Sequence, residues 1–221
     1  MACSDKNKNE DKIESNNQST ENTQSNEKLS DEETFINGVN EEHPLKVDKN
    51  NKTVTIFTKY NGKFEKESTR HLVTFKGGKL SDKSIFSSYV SPSDFYKALT
   101  EIGAEAGNNV NEDNADTEKT EGSELGLKLS WKENEDGVGL EDAIKDSNDK
   151  PIDIRFSGNI DPSKEYNTGC VTCLDSCFVG ITSNATYPLG AVEESKEVEF
   201  KVDPANLPKD GEGLAITYKL K

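Results

Sequence analysis

The sequence has no basic run. Lys and Arg number 27 against 42 Asp and Glu, giving a net charge of −15, and both the first 50 residues and the remainder are acidic on balance. Nucleic-acid binding rests on clustered Lys and Arg that displace counterions from phosphates, so the composition argues against that partner. It argues equally against docking onto anionic lipid by charge alone. Long apolar runs are missing too, and no segment approaches the ~18 residues needed to cross a bilayer as a helix. No Gly-rich phosphate loop, G-x-S-x-G elbow or H-E-x-x-H motif occurs, which leaves hydrolase and kinase readings without support. The acidic group Glu112, Asp113, Asp116 and Glu118 does not fit a twelve-residue calcium loop and lacks its glycine.

Apolar residues are scarcest in residues 1–44. Ile13 and Leu29 stand too far apart there to share a buried face, so this stretch is expected to be a disordered tether. The chain opens Met1-Ala2-Cys3-Ser4 and runs straight into that tether. Such an opening is expected at the mature start of a bacterial lipoprotein, whose leader is cut before a lipid-bearing cysteine. Cys3 is therefore the expected lipid anchor, the membrane its expected partner, and the expected location extracytoplasmic. A random coil of about 40 residues would hold a body about 35 Å from its anchor.

From residue 45 the pattern changes to short alternating runs, the signature of half-buried strands. TVTIFTKY places Val54, Ile56 and Thr58 on one face, and ELGLKLSW does the same with Leu125, Leu127, Leu129 and Trp131. IDIRF, EVEFKV and LAITYKL repeat the alternation, while RHLVTF, SIFSSYV and FVGITSNATY add three further strands. One helix is predicted near residues 92–102, with Ser91 as cap, Pro92 in the first turn and Gly103 as stop. A second helical turn is read at LEDAI, and the polar stretch 107–124 is read as a mobile loop. Together these predict a mainly β (α+β) fold, an antiparallel sheet or sandwich of about seven to nine strands with one packed helix, forming a single domain over 45–221.

Cysteine is scarce, and its placement is uneven. Three of the four cysteines, Cys170, Cys173 and Cys177, fall within YNTGCVTCLDSCFVG. Thiolates are soft ligands, so this C-x2-C-x3-C spacing points to a metal, an iron-sulfur cluster or a disulfide. It coincides with the last three cysteines of the bacterial ferredoxin run, with Asn167 standing where the first should be. A zinc site would need a fourth ligand, for which His71 and Asp175 are candidates. The pair Cys170 and Cys173 also has the spacing of redox-active dithiols, and a structural disulfide with one spare thiol is the remaining alternative. Spacings of three and four would align the sulfurs on a helical face, whereas Thr168-Gly169, Val171 and Thr172 suit a strand or loop.

The strand STRHLVTF, the helix entrance VSPSDFYKAL with EIGAEAGNN, the segment RFSGN and the run YNTGCVTCLDSCFVGITSNATYPLGA together resemble the YdjY-type family of bacterial exported proteins and lipoproteins. The resemblance covers residues 45–221. It implies export and an iron-sulfur or ferredoxin-like label, with Cys170, Cys173 and Cys177 on the family's cysteine positions and His71 on a position that often holds histidine. Phe178 stands where a proline commonly follows the third cysteine.

The expectation is therefore a membrane-tethered β domain whose reacting groups are Cys170, Cys173 and Cys177, with His71 added to them as metal ligands. That site would serve electron or thiol transfer with an unidentified protein redox partner, and an iron-sulfur cluster is the candidate cofactor. The competing class is a non-catalytic binding or scaffold lipoprotein whose cysteines staple a loop.

Overall fold

The computed structural model describes residues 35–221. Of the tether predicted over residues 1–44, the first 34 residues, with the anchor at Cys3, lie outside the described residues.

In chain order the strands are β1 (Leu45–Asp48), β2 (Thr53–Tyr60), β3 (His71–Phe75), β4 (Ser84–Ser88), β5 (Leu125–Trp131) and β6 (Asn134–Gly139). They continue as β7 (Ile144–Asp146), β8 (Ile154–Phe156), β9 (Cys170–Cys173), β10 (Thr182–Asn184), β11 (Phe200–Val202) and β12 (Gly213–Leu220). The helices are α1 (Pro92–Glu101), α2 (Leu140–Ala143) and α3 (Ile160–Tyr166). Nine strands run in the order β6-β5-β12-β2-β4-β3-β9-β10-β8, with β1 paired to β2 as a tenth, and β11 and β7 form a separate ribbon. The sheet is mixed and does not close into a barrel, since β3 with β4 and β9 with β10 pair in parallel while the other pairings are antiparallel.

The alternation read from the sequence sets the two faces. Val54, Ile56 and Tyr60 of β2, Leu129 and Trp131 of β5 and Leu214, Ile216 and Tyr218 of β12 enter one large core, as period-two geometry requires. Helix α1 covers that core. Ser91 accepts the Asp94 N–H at 3.1 Å as its cap, Pro92 opens the first turn, and Phe95 packs edge-on against Tyr218 with ring centroids 4.7 Å apart. LEDAI shortens to α2, which passes directly into β7.

The sheet is mainly antiparallel, as expected, and two connections, residues 76–83 and 174–181, add parallel pairs to it. Two expectations need correction. Residues 35–44 are not all tether: Ile36 and Val39 are buried against Phe57 and Ala215 on the sheet's other face, because Phe57 alternates away from the main core and needs cover of its own. The polar stretch 107–124 is no loose loop either. It buries Val110, Ala115 and Thr120, and the Thr120 N–H donates to Ser176 Oγ at 2.9 Å, so its backbone polar groups find partners in the body.

Candidate metal and thiol site

Strand β9 lies inside the sheet, between β3 and β10. In a regular strand, residues three apart point to opposite faces, which would have separated Cys170 from Cys173. Here His71 pairs with Cys173, Val73 with Thr172 and Thr74 with Cys170, so each strand holds one extra residue, Leu72 on β3 and Val171 on β9. Such an insertion turns two successive residues to the same face. Leu72, Val73 and Val171 all enter the main core, and the Thr172 hydroxyl meets the Tyr218 hydroxyl there at 2.7 Å. His71, Cys170 and Cys173 are thereby left together on the opposite face.

Two short connections close over them. Parallel neighbours usually need a crossover of a dozen or more residues, and residues 174–181 between β9 and β10 are fewer than that. The tight return carries Cys177, Phe178 and Val179 back across the sulfurs, forming an apolar layer of Cys170, Cys173, Cys177 and Val179 with Leu80, Tyr166 and Phe178 packed on it. Leu80 comes from the other connection, 76–83, which is tied to the approach to β9 by the Leu80 N–H donating to Thr168 O at 3.0 Å. Gly78 and Gly169 make that approach possible, because a Cβ on Gly78 would sit 2.4 Å from the Gly169 Cα.

All three cysteines are free and buried, so no disulfide staples this loop. One ligand atom each from His71, Cys170 and Cys173 lies within 4.8 Å of the others, close enough to share one metal ion. Sulfur at about 2.3 Å and nitrogen at about 2.1 Å from one tetrahedral ion stand about 3.6 Å apart. Cys170 Sγ and His71 Nδ1 are 3.7 Å apart. Cys177 is not a member of that trio, although it shares the apolar layer with both other sulfurs. A multi-iron cluster holds its thiolates outside a cage of iron and sulfide, so its ligands stand wider apart than the ligands of a single ion. The residues present fit one ion better than a cluster.

The electrostatics leave the imidazole neutral and set the three thiols apart. Burial and the Arg70 charge push His71 down to about 4, so at neutral pH its imidazole is uncharged and free to ligate. The thiols of Cys170 and Cys173, then Arg70, hold Cys177 well below the ordinary thiol range against its burial. Cys173 is driven well above that range by the two neighbouring thiols and by burial. Cys170, eased by Cys173 but raised by Cys177 and burial, reaches about 12. Cys177 is thus the most acidic of the three thiols.

Arg70 and Asp175 form the polar floor. Arg70 Nε and Nη2 donate to Asp175 Oδ1 at 3.0 and 2.7 Å, and the Gly190 N–H donates to Oδ2 at 3.2 Å. Burial pushes the Asp175 carboxyl up to about 6 in spite of Arg70. Burial also opposes the guanidinium charge, which Cys177, Asp175 and Cys173 more than restore. Asp175, a candidate fourth zinc ligand by sequence, is engaged here with Arg70 and Gly190 instead. Asn159 of RFSGN supports the return loop by donating from Nδ2 to Cys177 O at 2.9 Å.

Of the four residues expected at the site, the structure brings His71, Cys170 and Cys173 together on one face of the sheet and lays Cys177 over them on the return loop. Sequence reasoning missed Arg70, Asn159 and the role of Asp175. A signal for Arg70 was present, because the chain has only two arginines, Arg70 and Arg155, and one of them adjoins the candidate ligand His71. A rigid fork held on the buried Asp175 carboxylate is a use for which Lys is no substitute.

The YdjY domain family model matches residues 45–219. The protein is also similar to "Uncharacterized protein YdjY" of Escherichia coli (strain K12), at 43% identity over 183 residues, which cover 83% of this chain and 81% of that protein. No solved structure matches the chain. With the matched region running from β1 through β12, including the whole cysteine loop, the chain belongs to the YdjY family.

Proposed function

We propose that this YdjY protein is a bacterial lipoprotein, held outside the cytoplasm by a lipid on Cys3, whose body binds one thiophilic metal ion through His71, Cys170 and Cys173, with the Cys177 thiol beside them in the same apolar layer. The observation that supports this reading most is the 3.7 Å separation of Cys170 Sγ and His71 Nδ1 within a buried trio of soft donors. Two or three thiolates with one neutral imidazole suit zinc or cuprous copper rather than magnesium or calcium. A bound ion would supply the positive charge that lets several buried thiols ionise together. Arg70 offsets the remaining negative charge, and the layer of Leu80, Tyr166 and Phe178 excludes water.

The lipoprotein part of the reading rests on the YdjY-type resemblance, which implies export, and on the polar, acidic stretch between Cys3 and the folded body. With copper bound, the wider role that follows is electron transfer with a protein partner at the membrane face, for which the buried sulfurs need not touch that partner. Anaerobic titration of the reduced, metal-free protein with zinc, and separately with cuprous ion, tests the site. One ion per chain is expected, held in competition with a chromophoric chelator. Cys173→Ser should weaken binding by two orders of magnitude or more, roughly the loss of a first ligand beyond the 10–100-fold typical of its supporting partners. Failure of the metal-free chain to take up either ion would sink the reading, and the visible charge-transfer band of an iron-sulfur cluster after anaerobic purification would replace it with a cluster.

A further inference from the structure

We propose that metal exchange at this site runs through the cleft beside His71, with Leu80 as its gate, an inference that rests on the single-ion reading above. The cysteine sulfurs have no direct path to solvent: Cys170 and Cys173 are 0% and Cys177 is 1% exposed, whereas His71 retains 6%. His71 lines a cleft of about 340 Å³ together with Phe64, Glu67, Ser68, Thr69 and Leu80, and none of the three cysteines contributes to that lining. Leu80 belongs both to the cleft wall and to the apolar layer on the sulfurs. It is therefore the side chain that separates solvent in the cleft from the thiols.

The other approaches are closed by built contacts. The sheet lies beneath Cys170 and Cys173, the Arg70–Asp175 pair and Asn159 stand at the Cys177 loop, and Tyr166 meets Phe178 edge-on at 5.5 Å between ring centroids. Leu80 sits on a connection with partners of its own, its carbonyl accepting from Thr74 Oγ1 at 3.2 Å and its N–H donating to Thr168 O. Its side chain can therefore swing while the backbone stays in place. The first ligand an incoming donor meets is His71. A cleft near the lower size bound of small-molecule sites, lined by charges of both signs from Lys63, Lys83, Glu67 and Glu193, admits a hydrated ion or its complex with a small chelator and not the thiol loop of a folded partner. Exchange is therefore a small-molecule event at this site.

The test uses the full reduced chain loaded with zinc and mixed with a small chromophoric chelator, reading the transfer rate by stopped flow and the affinity by equilibrium competition. Ser68→Trp at the exposed rim and Leu80→Trp at the wall should each slow transfer about tenfold, and Leu80→Ala should speed it, with the zinc affinity of Ser68→Trp within about threefold of wild type. Transfer rates unmoved in variants that bind zinc normally would overturn the route while leaving the site intact. Failure of the wild-type chain to bind zinc or cuprous ion would overturn the single-ion reading and the route together. Ser68→Trp, on an exposed position, keeps the test decisive should a Leu80 variant fail to fold.

Discussion

Arg70 and Asp175 show how much one buried pair contributes here. Asp175 is fully shielded and Arg70 is only 15% exposed along its side chain, so removing either charge strands the other in a medium that solvates it poorly. Asp175→Asn is expected to destabilise the fold by about 3 kcal/mol, read from urea melts of the metal-free protein. His71 adds a pH dependence of definite sign. Its folded value of about 4 lies below the ordinary histidine value of 6.5, so the unfolded chain binds the proton more readily and protonation favours unfolding. Stability from this residue is fully present above pH 6.5 and is lost as pH falls towards 4, about 3 kcal/mol in all. Asp175, raised to about 6, has the opposite slope over part of the same window, so the histidine contribution appears as the difference between wild type and His71→Gln. Identical pH profiles for the two metal-free proteins would show that His71 is not held neutral by its surroundings.

At the scale of elements, the site depends on register and on a close approach. The extra residues Leu72 and Val171 turn His71, Cys170 and Cys173 to one face, and the two short connections cover that face with Leu80 and Cys177. Gly169 holds the second of these devices in place. Its φ of +85° is left-handed, and a Cβ there would stand 2.8 Å from the Gly78 Cα and 3.1 Å from Phe75 O. Gly169→Ala is therefore expected to cost about 2–3 kcal/mol through strain and displacement of residues 76–83. Because those residues carry Leu80, the variant should also leave the cysteines more reactive to a thiol reagent under native conditions. A variant that melts like wild type with unchanged thiol protection would show that the glycine contact is not what holds the cover down.

For the molecule as a whole, binding and folding share one free energy. The ligands come from β3 and β9, strands distant in sequence, and the unfolded chain cannot present them together, so an ion stabilises the native state by mass action. With zinc at 100 times its dissociation constant the gain is about 2.7 kcal/mol, expected as a higher melting temperature that Cys170→Ser and His71→Ala abolish. A zinc-dependent rise that survives both substitutions would place the binding elsewhere.

The sequence by itself determined the mainly β class, the capped helix α1, the faces of β2, β5 and β12 and the four soft donors, because these follow from local periodicity, capping chemistry and residue type. Those features need only neighbours along the chain. It could not reveal the parallel pairings, nor whether sulfurs at a spacing of three would meet, since β9 on its own reads as a strand that points Cys170 and Cys173 to opposite faces. Only pairing with β3, with one extra residue on each strand, reverses that parity. Nor could local pattern bring Arg70 to Asp175 or lay Leu80 over the thiols, because both contacts depend on where two short crossovers land on the sheet. A bulge and a crossover are properties of neighbouring strands, and they exist only once the tertiary structure has brought those strands together.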